Sequence, residues 1–309
     1  MRDGRMRIVV ADKRMLGPEI CRLELRARDG RRLPPFTAGA HITVTVPNGM
    51  ARTYSLTDPP GAHYAITVAR ESAGRGGSRS LIDDTTIGDE LLITPPVNVF
   101  PTADSPSHLL IAGGIGITVI RALRAALLSS EHSQVRTIYL ARNRDAAPYA
   151  DELTGQDDLV HLSEESGRLD LWPFLEVPDG THVYCCGPGR LMAELRALTM
   201  HWNPRTVHFE DFTGTTSAQA AGIPFSVVWQ ETGQIIEVAA AETLLDALRG
   251  HGIETTSSCL SGVCGTCRLK LVDGTAEHRD AVLAPHEHTS AIIPCVSRAT
   301  TPRITVAAD

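Results

Sequence analysis

The run Cys259-Leu-Ser-Gly-Val-Cys264-Gly-Thr-Cys267, with a fourth cysteine at Cys295, restricts this chain more than any other feature in it. C-x4-C-x2-C with a distant fourth cysteine is the spacing of a plant-type [2Fe–2S] cluster. Three thiolates from one loop force that loop to bend closely. Ser257, Ser258, Ser261, Gly262, Gly265 and Thr266 are small enough to allow it and to aim backbone N–H groups at sulfur. A zinc knot uses two separated short-spaced pairs or added histidines. A disulfide framework belongs to short secreted chains. Cys259, Cys264, Cys267 and Cys295 are therefore the expected metal ligands.

The flanking sequence predicts an α+β fold of the β-grasp ferredoxin type over residues 224–309. Phe225–Trp229 and Gln234–Val238 alternate as a hairpin about Glu231-Thr-Gly233. Glu242–Leu248 carries apolar residues at helical spacing, with Gly250 and Gly252 as stops, and Arg268–Val272 reads as a strand.

Residues 102–213 predict an α/β domain with a parallel sheet. The apolar strand His108–Ala112 runs into Gly113-Gly-Ile-Gly-Ile-Thr118 and then the helix Val119–Leu128. A glycine turn between strand and helix lets a pyrophosphate approach backbone N–H groups at the positive helix end, although a ligand-free tight turn has the same appearance. Val135–Ala141 and Thr181–Cys186 supply further strands, the second ending in Cys186-Gly187-Pro188-Gly189 before the helix Leu191–Leu198. Open parallel sheets bind at their C-terminal strand ends, so Gly113–Thr118 and Cys186–Pro188 are expected to meet there around a nicotinamide. Neighbours on a strand face opposite ways, which turns Cys185 into the core.

Residues 1–101 are strand-rich and predict a small antiparallel barrel of six or so strands, including His41–Val46, Tyr64–Arg70 and Glu90–Thr94. Arg52-Thr53-Tyr54-Ser55-Leu56 offers a cation, an aromatic face and hydroxyls on one extended stretch. Arg75-Gly76-Gly77-Ser78-Arg79 has the makings of a phosphate cradle, with a helix starting over Ser80–Asp83. An ordinary barrel strand and a surface loop are the alternatives for each segment taken alone.

The 309 residues and 42% hydrophobic content suit a multidomain globular chain. The formal charge of −7 argues against nucleic acid. No apolar run approaches a membrane span, no signal peptide is visible at the polar N-terminus, and reduced thiols suit the cytoplasm. Cys21 reads as a small buried hydrophobe.

In this order, Arg52-Thr-Tyr-Ser55, Gly76-Gly77-Ser78, Gly113–Thr118, Cys186-Gly187-Pro188 and the four cysteines resemble the phthalate dioxygenase reductase family, which includes vanillate demethylase reductase. The resemblance covers nearly the whole chain, including the ferredoxin domain in last place. It implies an FMN barrel, an NADH domain and a [2Fe–2S] domain that reduces a Rieske-type oxygenase, with a haem monooxygenase as another acceptor and a non-catalytic carrier as a further alternative. Under it, Arg52, Thr53, Tyr54, Ser55, Val68, Arg70, Gly76, Gly77, Ser78 and Arg79 fall to FMN. Gly113, Gly114, Gly116, Thr118, Arg142, Cys186, Gly187 and Pro188 fall to the nucleotide. Phe212 covers the flavin ring with Glu210 close by. No side chain acts as acid or base, because hydride transfer is borne by the cofactors. Val119 stands where the family often has proline, a favourable but dispensable residue at a first helical position. Arg142 and Arg144 beside Asp145 leave NADH and NADPH both open from the residues; the family implies NADH. The small polar stretch Thr213–Gly222, overlapping a linker at 214–223, permits domain motion.

Overall fold

The computed structural model describes residues 5–61, 63–72, 76–130, 133–212, 222–240, 242–257, 262, 265–280 and 282–309. Arg75, Thr213, Ser258, Cys259, Ser261, Cys264 and residues 214–221 of the expected linker lie outside them. The chain forms two compact units, Met1–Glu210 and Asp211–Asp309.

The first unit holds two sheets. β1 (Met6–Gly17), β2 (Ile20–Ala27), β3 (Ala40–Thr45), β4 (Ala51–Ser55), β5 (Tyr64–Ala69), β6 (Glu90–Ile93) and β7 (Val97–Asn98) pair antiparallel in the order β4-β3-β6-β1-β2-β5, with β7 on β3. A bridge between Leu56 and Ile66 ties the two ends of that order together and closes the barrel. Alternation explains its interior: Ile8, Val10, Leu23, Leu25, Ile42, Val44 and Ile66 all point into one core. Helix α1 (Gly77–Asp83) sits between β5 and β6.

The second sheet is wholly parallel, β10 (Asp158–Leu162), β9 (Gln134–Ala141), β8 (Ser107–Gly113), β11 (His182–Cys186) and β12 (Val207–Glu210), in that spatial order. Helices α2 (Ile117–Leu128), α3 (Ser163–Ser166) and α4 (Gly189–Leu198) accompany it. Strand β8 is buried on both faces: Leu110 and Ala112 pack with α2, whereas Leu109 and Ile111 pack with α4. That accounts for its unbroken apolar run. Strand order reverses between β8 and β11, which is where such sheets bind ligands.

The second unit is a mixed sheet. It contains β13 (Phe225–Trp229), β14 (Gln234–Val238), β15 (Leu269–Asp273), β17 (Ala291–Ile292) and β19 (Arg303–Ala308), ordered β14-β13-β19-β15-β17. A small pair, β16 (Ala276–Glu277) and β18 (Arg298–Ala299), lies beside it. β13 and β19 run parallel and the other pairs antiparallel. Helix α5 (Leu244–Gly250) packs Leu244, Ala247 and Leu248 on the sheet, its N-terminus capped by the Thr243 hydroxyl, which accepts from Asp246 N–H at 3.0 Å. The fold class expected from sequence is thus present throughout: barrel, parallel α/β sheet and β-grasp unit.

Candidate functional site

On the barrel, β4 delivers the Arg52–Ser55 segment opposite β3, in register Val44↔Arg52 through His41↔Ser55. Tyr54 packs on the barrel core, and its buried hydroxyl has no hydrogen-bond partner among the described residues. Burial pushes that phenol up to about 12. An orphaned buried hydroxyl is costly unless something else satisfies it. Ser55 is buried, and the Thr53 hydroxyl lies 3.2 Å from that of Thr43.

The glycine segment meets this strand through space. A Cβ added at Gly77 would fall 2.6 Å from Nε of Arg52, so only glycine lets the start of α1 and the guanidinium approach so closely. Gly76, with φ of 88°, caps α1 without a side-chain bond, and Arg79 lies over it. Ser78 accepts from Glu71 N–H at 2.9 Å. Two guanidiniums converging on an uncapped helix start, next to an orphaned phenol, fit a phosphate and a polar ring system such as FMN. Val68 is inside the barrel core, and Arg70 is bound in two-pronged fashion to Asp83, with Glu19 also in reach.

On the parallel sheet, Ala112, Cys186 and Glu210 stand in register at the C-terminal ends of β8, β11 and β12. The two glycine turns touch. A Cβ on Gly116 would lie 2.1 Å from the Cys186 carbonyl oxygen, and one on Gly113 would lie 2.7 Å from Pro188. Gly114 begins a short 3₁₀ turn with φ of 52°, and α2 starts at Ile117, two residues earlier than expected, so Val119 is its third residue rather than its first and is fully buried. Thr118 is buried and its hydroxyl donates to Ile115 O at 2.9 Å. Both neighbouring cysteines are fully buried. Cys185 faces the α4 side, its thiol pushed up to about 12 by desolvation, and Cys186 faces the α2 side. The strand-end row, with glycine where two backbones touch, fits a dinucleotide. Arg142 is mostly exposed and pairs with Glu164 at 3.3 Å, and Arg144 pairs with Asp151. Phe212 is 42% exposed.

Barrel and parallel sheet are joined by polar contacts that the sequence reading missed. Asp58 takes Arg22 from the barrel at 2.5 Å and Arg121 from α2 at 2.7 Å; these guanidiniums hold its carboxyl below the usual range despite burial. Arg121 also binds Glu152 and stacks 4.6 Å above Tyr149. Tyr149 shares a 2.6 Å hydrogen bond with Thr67 of β5 and adopts φ of 64°, a left-handed conformation unusual for a bulky residue. Hydrogen-bond partners 31 to 82 residues apart in the chain leave no local pattern to read.

In the second unit, Cys267 and Cys295 are buried together with Leu245, Leu283, Ala291, Ile293 and Val296. Gly262 and Gly265, with φ of 76° and 70°, flank the position of Cys264. Thiols sunk in an apolar shell, with two glycines of the same segment in the left-handed region, fit a thiolate-bound cluster.

The 2Fe-2S iron-sulfur cluster binding domain model matches residues 227–300. The chain is 40% identical over 307 residues to the phthalate 4,5-dioxygenase oxygenase reductase subunit of Pseudomonas putida, covering 96% of this chain and 95% of that one. It is 41% identical over 275 residues, 86% of this chain and 87% of the other, to the heme-dependent oxidative N-demethylase beta subunit of Ectopseudomonas mendocina. Among solved structures, phthalate dioxygenase reductase superposes with a TM-score of 0.77 at 39% identity, covering 99% of this chain and 98% of its own. End-to-end likeness at this level, over barrel, parallel sheet and cysteine unit alike, places the chain in the phthalate dioxygenase reductase family.

Proposed function

We propose that this chain is the NADH-dependent reductase component of a multicomponent oxygenase, delivering electrons to a Rieske-type terminal oxygenase in the cytoplasm. The observation that carries this is the coexistence, on one chain with full-length relatives of that kind, of a phosphate cradle beside an orphaned phenol, a dinucleotide sheet and a buried cysteine set. FMN, when bound, supplies acceptance of a hydride and release of electrons singly, which suits a one-electron [2Fe–2S] acceptor. Arg52, Gly77, Ser78 and Arg79 hold the phosphate, and Tyr54, Thr53 and Ser55 line the ring. Gly113, Gly114, Gly116, Thr118, Gly187 and Pro188 cradle the nucleotide, with Cys186 and Glu210 beneath it and Phe212 available to cover the flavin. Cys259, Cys264, Cys267 and Cys295 ligate the cluster. Residues 1–101, 102–213 and 224–309 are the three working parts, joined by 214–223.

Pairing of Arg142 with Glu164 and of Arg144 with Asp151 supports NADH, because each guanidinium already has a carboxylate where NADPH would bring its 2′-phosphate. The protein's part in hydride transfer is to hold two rings in contact and exclude water. A second reading, a haem-containing acceptor, is favoured by the likeness to the N-demethylase beta subunit. Anaerobic titration with NADH and NADPH, followed by transfer to a purified Rieske oxygenase and to a haem oxygenase, tests both. Preference for NADH and rapid reduction of the Rieske protein support the proposal. Transfer to the haem protein alone would replace it with the second reading.

A further inference from the structure

One carboxylate near the cysteines is fully buried: the Asp280 side chain is 0% exposed. Its Oδ2 accepts from Leu283 N–H at 2.8 Å and Val282 N–H at 3.2 Å, and its Oδ1 accepts from the Ser297 hydroxyl at 3.2 Å. Three donors and no acceptor are the partners a carboxylate needs in its ionised form. Ser297 stands two residues after Cys295 and also receives Arg279 N–H at 3.2 Å. On its other side Asp280 backs Gly262, between Cys259 and Cys264. A Cβ there would lie 3.2 Å from Asp280 Cα and 2.6 Å from Val296, and Gly262 takes φ of 76° to make the approach.

Asp280 thus packs against Gly262, from the three-cysteine segment, and Ser297, just past the turn that holds Cys295. Among the described residues, the one group of cationic capacity within ion-pair range of it is His278, whose Nδ1 is 3.7 Å from Oδ1; neighbouring Arg279 turns instead to Glu277 at 2.7 Å. Among the described residues, no guanidinium lies within ion-pair range of the carboxylate.

We propose that Asp280 is a positioning residue of the iron–sulfur centre, bracing its two ligand-bearing segments while its negative charge lowers the reduction potential. The inference rests on the four cysteines holding a cluster. Adding an electron to the cluster next to a buried anion is disfavoured, and cluster potentials respond to local charge and hydrogen bonding.

The test uses the full-length holoprotein and its D280N and S297A variants. Iron and sulfide content comes first: wild-type chain without iron would overturn the cluster reading itself. Redox titration followed by electron paramagnetic resonance then examines Asp280. Asparagine can still accept from Leu283 and meet Ser297, so D280N removes charge and keeps shape. It is expected to hold iron and to favour the reduced cluster about tenfold more, about 59 mV upward. S297A is expected to leave the potential in place and lose iron to a chelator several-fold faster. A D280N potential equal to wild type overturns the charge role, and wild-type iron retention in S297A overturns the bracing. Should D280N take up no iron, D280E decides: a wild-type potential supports the charge role, and a raised one overturns it.

Discussion

The two units of this chain are held together in opposite ways. In the first, a barrel and a parallel sheet meet through a chain of charges and hydroxyls, from Arg22 through Asp58 and Arg121 to Glu152, with Tyr149 on Thr67 beside it. In the second, two apolar clusters do the work, one under the mixed sheet and one around Cys267 and Cys295, and their polar exceptions are single buried groups such as Asp280 and Arg298. The lesson is about tolerance. A polar network fixes the relative setting of two ring-binding surfaces, and each link contributes modestly. A compact core around cysteine ligands depends on a few side chains whose loss is severe. Charge divides unevenly as well: residues 211–309 carry eleven Asp and Glu against six Lys and Arg, most of the chain's net −7.

The comparison breaks most sharply at the cysteines. C295S is expected to abolish electron delivery to the oxygenase while NADH still bleaches the flavin, measured by anaerobic absorbance on the same sample. Next is Arg298. Its guanidinium is buried, donates to Glu242 O at 2.6 Å, Ala239 O at 3.0 Å and Ile223 O at 3.3 Å, and lies 5.2 Å from the Phe225 ring centroid. R298M strands those carbonyls, and denaturant unfolding should show the second unit weakened by about 2–4 kcal/mol with the first unaffected.

These two residues also show what was readable. The cysteine motif is local, and its spacing alone names the chemistry. Several strands follow from alternation or from buried runs, so Phe225–Trp229 and Gln234–Val238 stand where the pattern puts them. Strand β10, with every residue half-buried, offers no such pattern and was not anticipated. Asp58, Tyr149 and Arg298 are single polar letters whose meaning lies in partners far along the chain. Arg52 and Gly77 were legible as separate segments, but their contact appears only in three dimensions.

Smaller effects sharpen the other side of the comparison. Y149F removes the hydroxyl shared with Thr67 and should cost about 1 kcal/mol of stability and slow flavin reduction by NADH a few-fold, leaving flavin-to-cluster transfer untouched; stopped-flow traces separate the two phases. Acid should loosen the first unit before the second. His208 stacks 4.3 Å from Tyr184 and its Nε2 lies 3.0 Å from Nδ1 of His182. Burial, and then the His182 and His108 rings, hold it down to about 4 from 6.5. The folded ring stays neutral while the unfolded chain takes up a proton, so stability is whole above pH 6.5 and is lost progressively toward pH 4. H208N should flatten that slope in urea midpoints taken across the window. The smallest effect expected is on association: the acidic second unit predicts that transfer to the oxygenase slows as salt rises, with intramolecular steps unchanged.

The division of labour between the two units is tested most directly by rapid anaerobic mixing of the holoprotein with NADH, watching flavin and cluster absorbance separately in wild type and C295S. The account predicts that flavin bleaching comes first in both, with a cluster phase following in wild type and missing in C295S. Cluster reduction that precedes or proceeds without flavin reduction would contradict it.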